Sequence, residues 1–342
     1  MSAASSTAVL PVYACPSCRS GLDRTESALS CAGCGRAYDI VVDLPDLRLE
    51  YVDPYNSRDE DARAAEALAA QSSEVDLREL LSEHWRMTGK PEELAQRFVA
   101  RDLAALAPAK SYVQAIERAR GSPLGPDDRV LEVGCGAAAL AAVAARRGCS
   151  VVASDVSLRW LVLARKRLQE LDSDVELVCC AAEALPFHDA GFDLVIAGDV
   201  VEHVADQRLF ARECARVLRP GGLLFLATPN RYSLGLEPHV RLWGVGLLPR
   251  GLARRYVERV RKAPYDHVRL LSSFALRRLF RREGFRVDID PPAVPVGSER
   301  LISGIELRLV RIYNAVRAIR PVRVALLVVG PFFHVFAWKG ER

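Results

Sequence analysis

Apolar residues change their spacing several times along the chain, and each change marks an element. From Ala62 to about Arg120 they recur at helical intervals among Ala, Leu, Glu and Arg, with breaks at Gly89-Lys90-Pro91 and at Pro108, which predicts two or three helices. Beyond them, short continuous apolar runs alternate with amphipathic stretches of helical length. Arg129–Val133, Ser150–Ser154, Val175–Cys180, Phe192–Ala197 and Leu223–Thr228 are the expected strands. Apolar runs of this kind, alternating with helices, belong to a mostly parallel sheet buried on both faces, so the expected class is α/β. After Asn230 a segment rich in Gly, Pro, Trp and Arg interrupts the pattern over about 231–272, the natural place for a substrate lid. The pattern resumes with a helix at Ser273–Glu283 and a strand at Phe285–Asp290. A last helical stretch, about 300–319, leads to an expected closing strand at Pro331–Trp338. The apolar run that contains it is broken by Arg323, Gly330, Pro331 and His334, short of the roughly 20 clean residues of a membrane-spanning helix.

A different texture precedes the helices. About Tyr13 to Leu47 is a compact unit rich in cysteine, glycine and turn residues, and the acidic stretch Tyr51–Asp61 after it has little periodicity and is expected to be a linker. Cys15-Pro-Ser-Cys18 and Cys31-Ala-Gly-Cys34 are two knuckles twelve residues apart. Four thiolates at this spacing suit one tetrahedral, structural zinc with no open position for chemistry. The other five cysteines read as core. Nine cysteines, an odd number, without a basic, apolar leader argue against a disulfide framework and for a reducing, cytoplasmic setting. A chain of 342 residues accommodates this unit beside one larger core.

The strongest motif for ligand chemistry is Val130-Leu-Glu-Val-Gly-Cys-Gly136, a buried strand ending in two glycines just before a helix that begins near Ala138. Glycine there permits a tight turn and close approach of a ligand to the backbone. About twenty residues on, the next strand ends at Asp155, where a carboxylate can accept hydrogen bonds from both ribose hydroxyls. The pairing points to a nucleoside site. A dinucleotide loop would carry a third glycine where this chain has Ala137-Ala138-Ala139, which speaks against a dehydrogenase.

Six elements then occur in order: Glu132-Val-Gly-Cys-Gly136, Asp155, Ala184-Leu-Pro-Phe187, Phe192-Asp-Leu-Val195, Asp199-Val-Val-Glu-His203 and Arg216-Val-Leu-Arg-Pro-Gly-Gly222. In this order they resemble the class I methyltransferases over roughly residues 125 to 290. The Glu-His-Val followed by Thr228-Pro-Asn230 is most similar to the ubiquinone-biosynthesis O-methyltransferase branch. The resemblance implies a Rossmann-like seven-stranded, mostly parallel sheet with helices on both faces, and S-adenosylmethionine as cofactor. It implies that Glu132, Gly134 and Gly136 hold the amino-acid part, Asp155 the ribose, Ala182 and Glu183 the adenine, and that Asp199 or Val200 lies beside the sulfonium. Two positions depart from the family: Ala181 stands where an acid is usual, and Ala138 where a third small turn residue is usual. The resemblance also divides the chain into a zinc ribbon (1–50), a linker and helical cap (51–120) and a methyltransferase domain (121–342) carrying the lid.

Methyl transfer from a sulfonium needs alignment and a proton acceptor more than elaborate protein chemistry. His203 is the candidate base. Asp199, Glu202 and His203, with His267 of the lid, also supply ligands suited to a divalent ion at the active site, as in some relatives. The flanks Gly35-Arg-Ala-Tyr38 and Leu44-Pro-Asp-Leu-Arg48 make the cysteine unit resemble the short zinc ribbons ahead of some methyltransferase domains, including a family acting on ribosomal RNA guanine.

Charge adds a question about partners. The net charge of +4 names none, but Arg241 to Arg286 carries thirteen Lys or Arg against three Asp or Glu, a surface that attracts anions. Together with Trp243, Leu247, Leu248 and Tyr256 it matches a small-molecule or lipid-like acceptor and a peripheral approach to an anionic membrane surface. The first rival is an RNA methyltransferase, with nucleic acid on the basic lid. The Asp199-Val-Val-Glu sequence differs from the Asn or Asp-Pro-Pro-Tyr motif of many base methylators. A non-catalytic cofactor-binding scaffold is the second rival.

Overall fold

The computed structural model describes residues 13–25, 27–49, 56–293 and 304–341. Residues 51–55 of the expected linker and 300–303 of the expected late helix lie outside them. The cysteine unit forms a small antiparallel sheet in the order β1 (Leu22–Arg24), β2 (Ala28–Cys31), β3 (Ala37–Val41), β4 (Leu44–Pro45).

Four helices follow: α1 (Arg58–Gln71), α2 (Leu77–Met87), α3 (Glu92–Leu103) and α4 (Leu106–Arg120). Three corrections to the sequence reading arise here, the first being that four helices stand where two or three were expected. The stretch taken as a linker already contains the start of α1, because Ser57 and Glu60 form a reciprocal capping box that satisfies free amides of its first turn. Asp76 and Glu79 do the same for α2. The break expected at Pro108 falls instead at Ala104-Ala105, and Pro108 sits in the first turn of α4, where its missing N–H is no loss.

The second sheet has seven strands. Its parallel part is β5 (Arg129–Val133), β6 (Ser150–Asp155), β7 (Glu176–Cys179), β8 (Phe192–Gly198) and β9 (Leu218–Pro229), with α5 (Ala139–Ala145), α6 (Leu158–Glu170) and α7 (Gln207–Val217) in the crossovers. The lid follows with α8 (Arg250–Arg261), and then come α9 (Ser273–Arg282) and β10 (Phe285–Asp290). Helices α10 (Gly304–Val316) and α11 (Arg320–Val329) precede β11 (Phe332–Lys339). The strand order is β10-β11-β9-β8-β5-β6-β7, and β11 pairs antiparallel with both its neighbours. The expected Rossmann-like seven-stranded, mostly parallel sheet is therefore present.

Side chains on the parallel strands alternate between two cores, both apolar. Val130, Val151, Leu194, Ile196 and Phe225 face α4, α5 and α6, with α1 to α3 stacked outside. Leu131, Val152, Val195, Leu224 and Leu226 face α7 and α9. The cysteine unit shares this second core through Leu29, Tyr38 and Leu47. It is pinned there by Ala14 N–H on Pro186 O (3.0 Å) and Leu47 N–H on Cys179 O (2.8 Å). Arg19 adds a bidentate bond to Glu213, both distances 2.9 Å. The small unit is thus built into the larger one. Among the described residues no helix is long and apolar enough to cross a membrane.

Candidate functional site

The carboxyl ends of parallel strands form a crevice where the strand order reverses, here between β5 and β8. Gly134 and Gly136 leave β5 with φ of +69° and +51°, a backbone that favours glycine. A Cβ on Gly134 would collide with the Val200 side chain, whereas one on Gly136 would meet nothing, so Gly134 admits a neighbour and Gly136 borders open space. Ala138 is left-handed as well (φ +54°) at the start of α5, which explains why small turn residues suit the position.

Glu132 lies beneath the loop, buried, and its carboxylate accepts the Ala141 N–H of α5 at 2.7 Å. Burial pushes its carboxyl up to about 8 against the lowering effect of that bond. The residue therefore ties α5 to β5. Asp155, at the end of β6, accepts Gly136 N–H on one oxygen (2.9 Å) and Ser157 N–H on the other (3.0 Å). Ala182 is half-buried after β7, and Cys180 N–H donates to Asp155 O (3.0 Å), which fixes that loop beside the acid. Glu183 accepts Ala205 N–H and Asp206 N–H at 2.7 and 3.3 Å and thereby braces the loop before α7. Asp199 leaves β8 with φ +55° and donates its N–H to Ala227 O (2.8 Å), placing Val200 over the glycine loop.

The lid supplies the opposite wall. Its own core of Val245, Ala253, Val257, Tyr265, Val268 and Leu270 gives it a fixed shape. Buried Glu237 takes His239 Nδ1 at 2.5 Å and Val240 N–H at 2.8 Å, and His239 Nε2 then points at His203 Nε2, 3.1 Å away. Glu202 is fully buried, Thr228 donates its hydroxyl to Oε2 at 3.1 Å, and Oε1 has no hydrogen-bond partner. Burial and the neighbouring Asp199 push the Glu202 carboxyl up to about 8. Burial and the charges of His239 and His267 bring His203 down to about 4, so its ring is neutral near pH 7.

Glu202, His203 and His239 offer one ligand atom each, all within 4.8 Å of one another. Two imidazole nitrogens bound at 2.1 Å in adjacent octahedral positions would lie about 3.0 Å apart, and the orphaned Oε1 completes a donor set that fits a divalent cation. Asp199 and His267 take no part in this cluster. The sequence reading chose His267 as the lid's ligand and missed His239; with six histidines in the chain both were available, but only the folded path of the lid separates them. Tyr112 of α4 lies beside the end of β8, 3.9 Å from where a Cβ on Gly198 would stand, its ring 5.0 Å edge-on from His334 and 5.7 Å from Phe225.

On the other face, the four thiols of the small unit also lie within 4.8 Å of one another. Cys15 and Cys34 sulfurs are 3.7 Å apart and those of Cys18 and Cys31 3.3 Å, against about 3.8 Å for the edge of a zinc–thiolate tetrahedron. The Tyr38 hydroxyl lies 3.1 Å from Cys15 Sγ, placed to donate to a thiolate. The cluster is compatible with zinc.

Residues 131–226 match the family described as methyltransferase domain, and residues 8–41 the one described as Trm112p-like protein. The ubiquinone biosynthesis O-methyltransferase of Chelativorans sp. (strain BNC1) is 39% identical over 150 residues, 43% of this chain and 58% of that enzyme. Its namesake from Methylocella silvestris is 34% identical over 192 residues, 52% of this chain and 65% of the relative. The chain thus spans between half and 65% of the length of the first curated relatives it matches. A solved S-adenosylmethionine-dependent methyltransferase from Mesorhizobium loti superposes with a TM-score of 0.45 at 20% identity, covering 67% of this chain and 98% of that one. Residues 131–226 are thus similar to a methyltransferase domain, and residues 8–41, ahead of it, to a Trm112p-like protein.

Proposed function

We propose that the protein transfers the methyl group of S-adenosylmethionine to an oxygen of a small, lipid-like acceptor held between the end of β8 and the lid. The observation that carries this reading is the meeting of the Gly134–Asp155 cradle with Glu202, His203 and His239 across one crevice. Asp155 would hold the ribose and Gly136 admit the amino-acid end of the cofactor, while neutral His203 takes the proton that the acceptor hydroxyl loses. Glu237 supports the arrangement by holding the His239 ring with its Nε2 toward His203. Were a divalent ion held there by Glu202, His203 and His239, His203 would be a ligand rather than the base, and the ion would stabilise the negative charge on the acceptor oxygen in its place. Leu234, Leu236, Trp243 and Leu247 are all about half exposed on the lid, an apolar rim suited to an acceptor with a hydrocarbon part. The curated relatives named above are O-methyltransferases of ubiquinone biosynthesis, which favours a hydroxyl acceptor.

The test is transfer of a labelled methyl group from S-adenosylmethionine into a lysate lacking the native protein, followed by partition. Label in the organic fraction is the expected result. Nuclease-sensitive label would replace this reading with an RNA acceptor, and cofactor binding without any transfer would leave a scaffold. In the same assay His203→Gln is expected to lower turnover by about 10²–10⁴-fold while sparing cofactor affinity. Full activity in that variant would remove His203 from proton transfer.

A further inference from the structure

The turn that follows Asp155 is held by residues from outside the nucleotide-binding sheet. Val156 O accepts Arg48 Nη1 at 2.9 Å. The Ser157 hydroxyl donates to Asp61 Oδ1 at 2.6 Å, and Leu158 N–H to Asp61 Oδ2 at 2.9 Å. Three consecutive residues thus depend on two side chains that arrive from the segment before and within α1.

This is an unusual way to begin a helix. Ser157 is the N-cap residue of α6, and a serine there would ordinarily accept an amide of the first turn with its own oxygen. Here it makes no such bond, and its hydroxyl is turned to Asp61 instead. Asp61 supplies the missing acceptor from α1, so α6 has a borrowed cap. The arrangement is buried throughout: the side chains of Arg48 and Asp61 are 0% exposed. Behind Asp61, Arg48 Nη1 donates to Oδ2 at 2.9 Å, and the rest of its guanidinium grips Asp46 with bonds of 2.7 and 2.6 Å. Burial opposes ionisation of Asp46, but its bonds to Arg48 and the charges of Arg48 and Arg58 outweigh that and hold the carboxyl below its usual value. Both acids therefore face a guanidinium that cannot lose its charge.

The consequence reaches the cofactor acid directly, because Ser157 N–H is the donor that orients Asp155 Oδ1. We propose that Asp61, backed by Arg48, is a positioning residue for Asp155: it fixes Ser157, Ser157 fixes the carboxylate, and the carboxylate is thereby set for the ribose before the cofactor arrives. The proposal rests on the reading of Asp155 as the ribose acid. Neither Asp61 nor Arg48 touches the cofactor, and both act on affinity through the turn.

The experiment is a double-mutant cycle on the full chain, with S-adenosylmethionine affinity measured by calorimetry and folding followed by thermal melting. Ser157→Ala and Asp61→Asn are each expected to weaken binding roughly three- to tenfold, with kcat at saturating cofactor and KM for the acceptor unchanged. In an Asp155→Asn background both losses should disappear, because the group they position is no longer the same acceptor. Losses that persist undiminished in that background would show Asp61 to be merely structural and overturn the relay. Should Asp61→Asn fail to fold with Arg48 unbalanced, Ser157→Ala keeps the cycle decisive, since it removes only a hydroxyl. If Asp155→Asn alone leaves affinity unchanged, the cofactor reading of Asp155 falls, and the relay with it; if Asp155→Asn weakens binding but Ser157→Ala does not, only the relay falls.

Discussion

Replacing Asp155 by alanine is expected to weaken S-adenosylmethionine binding by well over tenfold. Hydrogen bonds to a charged acceptor contribute about 1.5–3 kcal/mol each, and each 1.4 kcal/mol is tenfold in affinity. Two ribose hydroxyls would lose their acceptor together. The substitution also releases Gly136 N–H and Ser157 N–H, the donors that set the glycine loop against the end of β6. Calorimetry with S-adenosylmethionine checks this directly, and the upward shift in melting temperature on adding cofactor should shrink in parallel. Unchanged affinity would take away the centre of the cofactor assignment, since that assignment rests on the Asp155 carboxylate.

Losing the four-thiolate cluster is expected to reach well beyond the small unit. Clean protein should contain about one zinc per chain, and Cys31→Ser should abolish it. Had the ribbon been a satellite, only the ribbon would unfold. Leu29, Tyr38 and Leu47 instead pack in the same core as Phe187, Phe192 and Phe210, and Leu47 is bonded to Cys179 at the edge of β7. Exposing three large apolar side chains at about 1.5–3 kcal/mol each would lower stability by several kcal/mol, roughly 10 °C or more in melting temperature for a domain of this size. Calorimetric scans with and without chelator measure it. A catalytic transition that does not move would show the ribbon to be energetically separate, and clean protein without metal would end the zinc reading.

The sheet was legible because burial on both faces leaves continuous apolar runs with sharp ends, and all the expected strands of the sheet are found. The cap was less legible. Ser57 and Glu60 begin a helix inside a charged stretch that has no apolar period to announce it, and only the reciprocal cap reveals the start. Helix α11 was also missed, because its apolar side chains were read as one run with those of β11, although Gly330-Pro331 separates the two elements. At the site, Gly134, Gly136 and Asp155 stand out because local backbone constraints fix their types. Glu132 and Glu183 carried the same motif signal, and each accepts backbone amides, Glu132 from α5 and Glu183 from the turn before α7. His239 and Asp61 gave no local signal at all. Each acts through contacts to residues far along the chain, and spacing cannot report those.

The antiparallel strand β11 has a consequence for how the chain assembles. It fills the gap between β9 and β10, pairing Phe332 with Pro229 at one end and Lys339 with Phe285 at the other. Until residues 332–339 leave the ribosome, the apolar β9 and the alternating apolar and charged β10 each lack a neighbour on that side. Pairings this distant in sequence pay their loop-closure entropy before any contact rewards it, so the seam between β9 and β11 should close late. A nascent chain stalled before that point would carry two open strand edges, the form of this protein with most reason to meet a chaperone.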